Sequence, residues 1–138
     1  MNVSEAMQLL KEKGYKNTDK REELLRIFAE NKRYLTAKDV LAAMNQKFSN
    51  LSYDTIYRNL SMFTQLGILE ATDLSGEKHF RFSCGIDEHH HHFICTDCGV
   101  TKEIMNCPME SVAKSLQGFI VSGHKFEIYG QCPVCQGN

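Results

Sequence analysis

Two pairs of cysteines are the residues of this chain best suited to chemistry: Cys95 with Cys98, and Cys132 with Cys135. A two-residue gap lets one tight turn direct both sulfur atoms at a single ion, and four thiolates form the tetrahedron that Zn²⁺ prefers in closed structural sites. The 33 residues between the pairs exceed the roughly 15–20 of a simple zinc ribbon, so a subdomain must be inserted between them. The pattern predicts a structural Zn²⁺ site, with a redox dithiol as the alternative.

A run of four histidines, His89-His90-His91-His92, precedes the first cysteine pair. The run is internal, so it is not a purification tag. On an extended strand, alternate side chains point to opposite faces. His90 and His92 would therefore face one way and His89 and His91 the other, so one run can serve two metal sites. The alternative is a solvated surface feature.

A mixed site is predicted around Cys84, which lies close in sequence to His90 and His92. With one carboxylate, these side chains give a tetrahedral set of sulfur, nitrogen and oxygen ligands, which favours zinc over harder ions. Glu70 is the expected fourth ligand because it would link the two halves of the chain, although it can also be an exposed strand carboxylate. Cys107, at the start of a predicted helix, is expected to be an ordinary thiol.

Composition limits the class of protein. The net charge of −1 over 138 residues argues against a strongly basic, nonspecific nucleic-acid binder. The first 30 residues contain no apolar run typical of a signal peptide, and nothing is long enough to span a membrane. We therefore expect a cytoplasmic protein with reduced thiols. Without an HExxH motif, a nucleophile elbow or a phosphate-binding glycine loop, we expect no enzyme activity and no small-molecule substrate.

The first half has the pattern of a winged helix-turn-helix. Thr36 and Asp39 predict a capping box, and Ser52 can cap the helix that follows. A β-hairpin is predicted over 68–74 and 78–82, with a turn at 75–77. Amphipathic helices are predicted over 4–13, 18–30, from 36 onward, and over 53–66.

The start of the fourth helix carries groups suited to DNA recognition. Arg58 can pair with guanine or with phosphate, while Tyr53, Thr55 and Tyr57 can reach phosphates or thymine methyls. Three basic residues flank the second helix and could hold the DNA backbone: Lys16, Lys20 and Arg21. Charged helix faces are usually just solvated, but the position between three helices and a hairpin favours DNA binding.

The second half predicts strands over 92–95, 100–105, 119–122 and 124–129, with a short helix from Pro108 to about 118. The whole chain is therefore predicted to be α+β. An N-terminal winged helix-turn-helix domain spans 1–83, a hinge spans 84–88, and a zinc-anchored C-terminal α/β domain spans 89–138.

Four motifs in this order resemble the ferric uptake regulator family, most closely its zinc-sensing branch, over essentially the whole chain. They are the segments 15–21, 54–60 and 89–98 and the closing Cys132-Pro-Val-Cys135. The resemblance implies a homodimer, joined through its C-terminal α/β dimerisation domain, that binds a palindromic double-stranded operator when zinc is present. Such a dimer would repress zinc-uptake genes. An iron-, manganese- or peroxide-responsive repressor of the same family is the alternative.

The resemblance also implies two metal sites beside the four cysteines. The regulatory site falls on Glu70, Cys84, His90 and His92, with Glu103 a rival for the fourth position. Cys84 supports the zinc branch, since related iron and peroxide sensors generally lack a cysteine there. A further site found in some members falls on His89, His91, Glu110 and His124.

Overall fold

The computed structural model describes residues 2–83 and 90–137 of an α+β chain. The chain divides into two compact units, Met1–Gly85 and Ile86–Asn138. The predicted hinge over 84–88 lies outside the described residues. Within the two described ranges, no helix is long and apolar enough to cross a membrane.

Four helices dominate the first unit, as the sequence pattern predicts. Each begins at a side chain that accepts a hydrogen bond from a backbone N–H of the first turn, which satisfies a donor that the helix itself cannot. The predicted capping box is confirmed, because Thr36 and Asp39 each accept from the other's backbone N–H at 3.1 Å. The helices are α1 (Val3–Glu12), α2 (Asp19–Glu30), α3 (Ala37–Met44) and α4 (Tyr53–Gln65).

The wing contains a strand that the sequence pattern did not predict. The strands β2 (Leu69–Leu74) and β3 (Glu77–Phe82) form the predicted antiparallel hairpin, and β1 (Leu35–Thr36) adds to the free edge of β3. The turn at Ser75-Gly76 has positive φ at both residues, 53° and 79°, which is the backbone of a two-residue hairpin turn.

The core of the first unit fixes the orientation of α4. The predicted stripe of Ile56, Leu60 and Phe63 is almost completely buried, and it belongs to one cluster with Phe28 of α2 and Phe80 of β3. Because this stripe occupies one side of α4, the other sides of the helix are free to carry polar and aromatic groups. The orientation of α4 is therefore set by apolar packing.

The second unit is a small three-stranded sheet with a short helix. Its strands are β4 (His91–Cys95), β5 (Thr101–Ile104) and β6 (Glu127–Gly130), and α5 (Met109–Ala113) continues as a 3₁₀ turn. Strand β4 is central, antiparallel to β5 and parallel to β6. The histidine run therefore enters the middle strand of this sheet.

The predicted strand over 119–122 is wrong, and the strand predicted from 124 begins only at Glu127. Phe119 and Ile120 are 70% and 99% exposed. A strand forms only where a neighbouring strand pairs its backbone, and within the described chain no strand lies beside this segment. The segment has an apolar, β-prone sequence, but the described chain provides no neighbouring strand to pair with its backbone.

We predict that Ser52→Ala lowers the free energy of unfolding by about 1 kcal/mol, because the Ser52 hydroxyl accepts the N–H of Thr55 at 3.1 Å. Urea unfolding followed by helical circular dichroism measures the effect. Ser52→Asp keeps the cap and should keep the stability. Ser49→Ala, an exposed loop change, is the matched control and should stay within about 0.5 kcal/mol of the parent. Equal effects of Ser49→Ala and Ser52→Ala would contradict a capping role.

Candidate functional site

The four paired cysteines converge on one point at the end of β4. Their sulfur atoms all lie within 4.8 Å of one another, and the Sγ atoms of Cys98 and Cys132 are 3.8 Å apart. Four thiolates at a Zn–S distance of about 2.3 Å define a tetrahedron with edges of about 3.8 Å. The sulfur positions therefore fit a closed tetrahedral Zn²⁺ site.

Backbone hydrogen bonds shape both cysteine turns. The N–H of Gly99 donates to the carbonyl of Cys95 at 2.9 Å, and the N–H of Cys132 donates to the Cys95 sulfur at 3.4 Å. Gly99 has φ 78°, a conformation that glycine adopts without strain. The two turns are thus held against each other by contacts that a bound ion would reinforce.

The surroundings shift the pKa values of three of the four thiols in different directions. Burial raises the pKa of the Cys98 thiol. Burial acts in the same direction at Cys95, but backbone N–H groups of Cys98, Cys132 and Asp97 outweigh it and lower the pKa of Cys95 to about 6. Thiol contacts with Cys132 and Cys98 raise the pKa of Cys135 to about 12. The raised pKa values of Cys98 and Cys135 oppose formation of their thiolates, and a bound cation would favour the deprotonated sulfurs.

The described histidines of the run, His90 to His92, alternate across the sheet as predicted, and His89 lies outside the described residues. The rings of His90 and His92 meet edge to face with centroids 4.8 Å apart, whereas His91 points to the other face and contacts His124. His92 lies directly between Glu103 of β5 and Glu127 of β6 in the register of the sheet. One face of β4 therefore carries two imidazoles beside carboxylates.

Only part of the predicted regulatory set can be located. Cys84 lies outside the described residues, and Glu70 lies in β2 of the first unit, opposite Arg81 of β3. Glu103, the rival fourth ligand, is the cross-strand neighbour of His92. The regulatory assignment stays a prediction.

A second convergence of ligand atoms lies on the opposite face of β4. Among residues 2–83 and 90–137, only the four cysteines and the trio His91, Cys107 and His124 bring three such atoms within 4.8 Å of one another. The two imidazoles are close, as the expected further site requires. Glu110 is exposed beside this trio, in a cleft that Cys107 and His124 also line, and His89 lies outside the described residues.

Sequence reasoning missed Cys107. Its sulfur lies 3.4 Å from the Nε2 atoms of both His91 and His124, so it is more than an ordinary thiol at a helix start. The residues lie 16 and 17 positions away along the chain, and no local spacing rule joins them. The sequence feature that could have indicated a ligand role is a cysteine outside both CxxC pairs in a short chain rich in histidine.

The outward side of α4 carries the residues predicted to bind DNA. Arg58 is exposed and Tyr53 is 44% exposed, with its ring stacked on Tyr57 at 6.0 Å. Tyr57 is partly buried and packs edge-on against Phe80. Thr55 is also partly buried, and its hydroxyl is 2.9 Å from that of Ser52. Of the four residues of α4 predicted to bind DNA, the more exposed are therefore Tyr53 and Arg58.

Arg21 joins the turn before α2 to α4. Its Nη1 donates to the carbonyl of Lys16 at 2.7 Å, its Nε donates to Asn59 at 3.4 Å, and its guanidinium lies over the Tyr15 ring. Lys16, Lys20 and Thr55 line the same cleft of about 400 Å³, and both lysines are exposed. The predicted basic residues thus form one positive cleft beside the start of α4, in which Arg21 is held by neighbours.

Comparisons with known proteins agree with this architecture. The sequence model of the ferric uptake regulator family matches residues 12–129. The ferric uptake regulation protein of Staphylococcus aureus is 48% identical over 136 residues, which cover 99% of both chains.

Solved structures share the fold. The Helicobacter pylori ferric uptake regulator superposes with a TM-score of 0.75 at 22% identity and covers 100% of this chain and 96% of its own. The Francisella tularensis regulator, solved with iron, gives 0.69 at 29% identity over 89% and 96%. The chain therefore belongs to the ferric uptake regulator family, whose members are metal-sensing transcriptional regulators and not enzymes.

Proposed function

We propose that this chain is a metal-responsive repressor that binds operator DNA as a homodimer in the cytoplasm. The observation that carries the proposal is the outward side of α4, where Tyr53 and Arg58 stand beside the cleft of Lys16 and Lys20. A helix of this kind reads base edges in the major groove, while flanking cations hold phosphates. With a net charge of −1, specific placement has to replace bulk positive charge.

Exposed apolar residues of the second unit support the homodimer. Phe119, Ile120 and Val121 are 70%, 99% and 48% exposed, and Ile128 and Tyr129 of β6 are 42% and 49% exposed. Exposed apolar surface of this density is typical of an interface. A second copy covering it would bring two recognition helices to a palindromic operator, whose half-sites lie about one DNA turn apart.

Zinc is the metal we assign to the four cysteines. An all-thiolate tetrahedron suits Zn²⁺, whose bound state adds directly to folding stability. The observed sulfur separation of 3.8 Å supports this assignment. The role is structural, because a closed site of four protein ligands leaves no position for a substrate.

Iron is our first candidate for the sensed metal. The Staphylococcus aureus relative, 48% identical, is a ferric uptake regulation protein. The imidazoles of His90 and His92 lie side by side, and Glu103 is the cross-strand neighbour of His92. Nitrogen and oxygen donors of this kind suit Fe²⁺, although their ligand atoms do not converge within 4.8 Å in the described chain. In this assignment Glu103, and not Glu70, is the carboxylate ligand of the regulatory site.

Zinc is the second candidate for the sensed metal, favoured by Cys84. A thiolate beside His90 and His92 would shift preference toward Zn²⁺. In this assignment the regulatory set is Glu70, Cys84, His90 and His92, and the repressed genes serve zinc uptake. The two candidates differ in whether a sulfur ligand takes part in sensing.

A DNA-binding titration tests the proposal. A duplex is first selected from a randomised palindromic library by the metal-loaded protein, without oxygen and under reducing conditions. Binding is then measured by fluorescence anisotropy against buffered free Fe²⁺, Zn²⁺ and Mn²⁺. We expect Fe²⁺ to raise affinity by about 5- to 150-fold, the usual range of coupling between two sites. If no metal changes the affinity, the proposed function is wrong.

Cys84→Ser separates the two candidates in the same titration. An iron response through His90, His92 and Glu103 should survive this change within about threefold. A zinc response that needs the thiolate should disappear. Glu103→Gln should have the converse effect and abolish the iron response. An iron response lost in Cys84→Ser and kept in Glu103→Gln would contradict our first candidate.

We predict that Arg58→Ala weakens binding to the selected duplex by about 1–3 kcal/mol, the range for loss of a bidentate base contact. Arg26→Ala is the charge-matched control, since Arg26 lies on α2 and pairs with Glu22 at 3.2 Å. Anisotropy at one fixed salt concentration compares the two, because phosphate contacts depend on salt. An equal loss of DNA affinity in Arg58→Ala and Arg26→Ala would contradict the role of α4 as the recognition helix.

We predict that Cys132→Ser loses one tightly held zinc per chain and destabilises the second unit, because Cys132 is buried among the four sulfurs. Metal analysis after gel filtration measures the zinc, and circular dichroism should retain the helical signal of the first unit. Cys84→Ser, which leaves the four cysteines intact, is the matched control for structural zinc. Unchanged zinc content in Cys132→Ser would refute the assignment.

A further inference from the structure

We propose that His91, Cys107 and His124 form a thiolate-containing site for a borderline divalent cation of the Zn²⁺ class. The site is separate from the four cysteines, and it lies on the face of β4 opposite His90 and His92. Its existence does not depend on which metal the repressor senses. It shares His91 and His124 with the further site that the family resemblance implies, and what is new is its third ligand, the sulfur of Cys107.

Three distances carry the proposal. The two Nε2 atoms are 3.2 Å apart, and each lies 3.4 Å from the Cys107 sulfur. Tetrahedral zinc with bonds of about 2.0–2.1 Å to nitrogen and about 2.3 Å to sulfur would place its ligands about 3.3 Å apart for nitrogen pairs and about 3.5 Å apart for nitrogen with sulfur. The three atoms thus occupy one face of such a tetrahedron.

The surroundings fix one ligand firmly and leave the site open on one side. His91 is 7% exposed, and its ring packs edge to face against Phe126 at 5.4 Å. Cys107 is partly buried and His124 is exposed, so a cation can enter from solvent. Cys107 and His124 also line a cleft that includes Glu110, so water or a carboxylate is available as a fourth ligand.

The donor set determines the class of cation. Two imidazoles and a thiolate suit Zn²⁺ and its spectroscopic substitute Co²⁺, whereas Mg²⁺, Ca²⁺ and Mn²⁺ prefer oxygen ligands. On binding, the Cys107 thiol gives up its proton to solvent and forms the metal–sulfur bond. A cation bound to all three ligands would join three separate segments of the chain. They are strand β4, the residues before α5, and the irregular stretch before β6.

A cation at this site would also restrain the exposed apolar residues of the second unit. Phe119, Ile120 and Val121 lie between Cys107 and His124 in the chain, in a stretch without regular structure. Fixing both ends of a loop reduces the conformational entropy that it loses when it docks. A cation at this site would therefore favour coverage of these residues by a second copy of the chain.

Cobalt spectroscopy tests the site in a Cys84→Ser background. The chain has six cysteines, so with the four-cysteine site filled by Zn²⁺, Cys107 is the one thiol left for added Co²⁺. We expect a thiolate-to-cobalt charge-transfer band in Cys84→Ser that is absent in Cys84→Ser/Cys107→Ser. Absence of the band in Cys84→Ser, or an equal band in both variants, would overturn the proposal.

Histidine variants provide a second readout. His124→Gln in the Cys84→Ser background should weaken Co²⁺ binding at this band by at least about tenfold, since loss of even an outer-shell partner costs about 10–100-fold. His79→Gln, which removes an imidazole of the β2–β3 hairpin, is the matched control and should leave the titration unchanged. Equal affinities in the two variants would overturn the ligand role of His124. Neither readout involves DNA, so a failed operator assay leaves this test intact.

Discussion

The sulfur atoms of Cys95, Cys98, Cys132 and Cys135 lie within 4.8 Å of one another, and this convergence joins the end of β4 to the last turn of the described chain. The second unit needs that connection. Between residues 90 and 137, its nearly inaccessible apolar side chains are those of Ile94, Cys95 and Cys132, too few to offset the entropy of ordering about fifty residues. A metal–thiolate cluster and a partner subunit are the two common ways of making up such a deficit. The four cysteines and the exposed apolar residues provide for both.

The first unit is stabilised differently. It buries a continuous apolar cluster from all four helices and the hairpin, and every helix begins at a capping side chain. This unit can present α4 rigidly because packing, and not a metal, sets the orientation of the helix. Arg21 adds a polar clamp between the turn before α2 and Asn59 of α4. In the part of the chain that the structure describes, both groups of converging ligand atoms lie in the other unit, and the regulatory ligands predicted outside it are Glu70 and Cys84.

Sequence predicts most of the first unit because its signals are local. Helical periodicity, the Thr36 and Asp39 box and the turn at Ser75-Gly76 each act within a few residues, and all are present. Strand β1 was not predicted because its two residues are too few to show the alternating pattern of a strand. The strand over 119–122 was wrong because strand formation depends on a neighbour, which no single-residue propensity encodes. Among ligands, the CxxC pairs were predictable from spacing, whereas Cys107 depends on contacts made across 16 and 17 residues.

Strand β4 contains a feature whose consequence concerns folding fidelity. The strand begins with His91 and His92, two identical residues whose side chains do not distinguish one alignment from the next, and a slip of one residue would exchange the two faces. Cys95 ends the same strand, three residues after His92. The convergence of its sulfur with the other three, together with the buried Ile94, favours a single alignment of β4 with β5 and β6. The cluster of four sulfurs therefore helps to fix which of the described imidazoles lies on each face of β4.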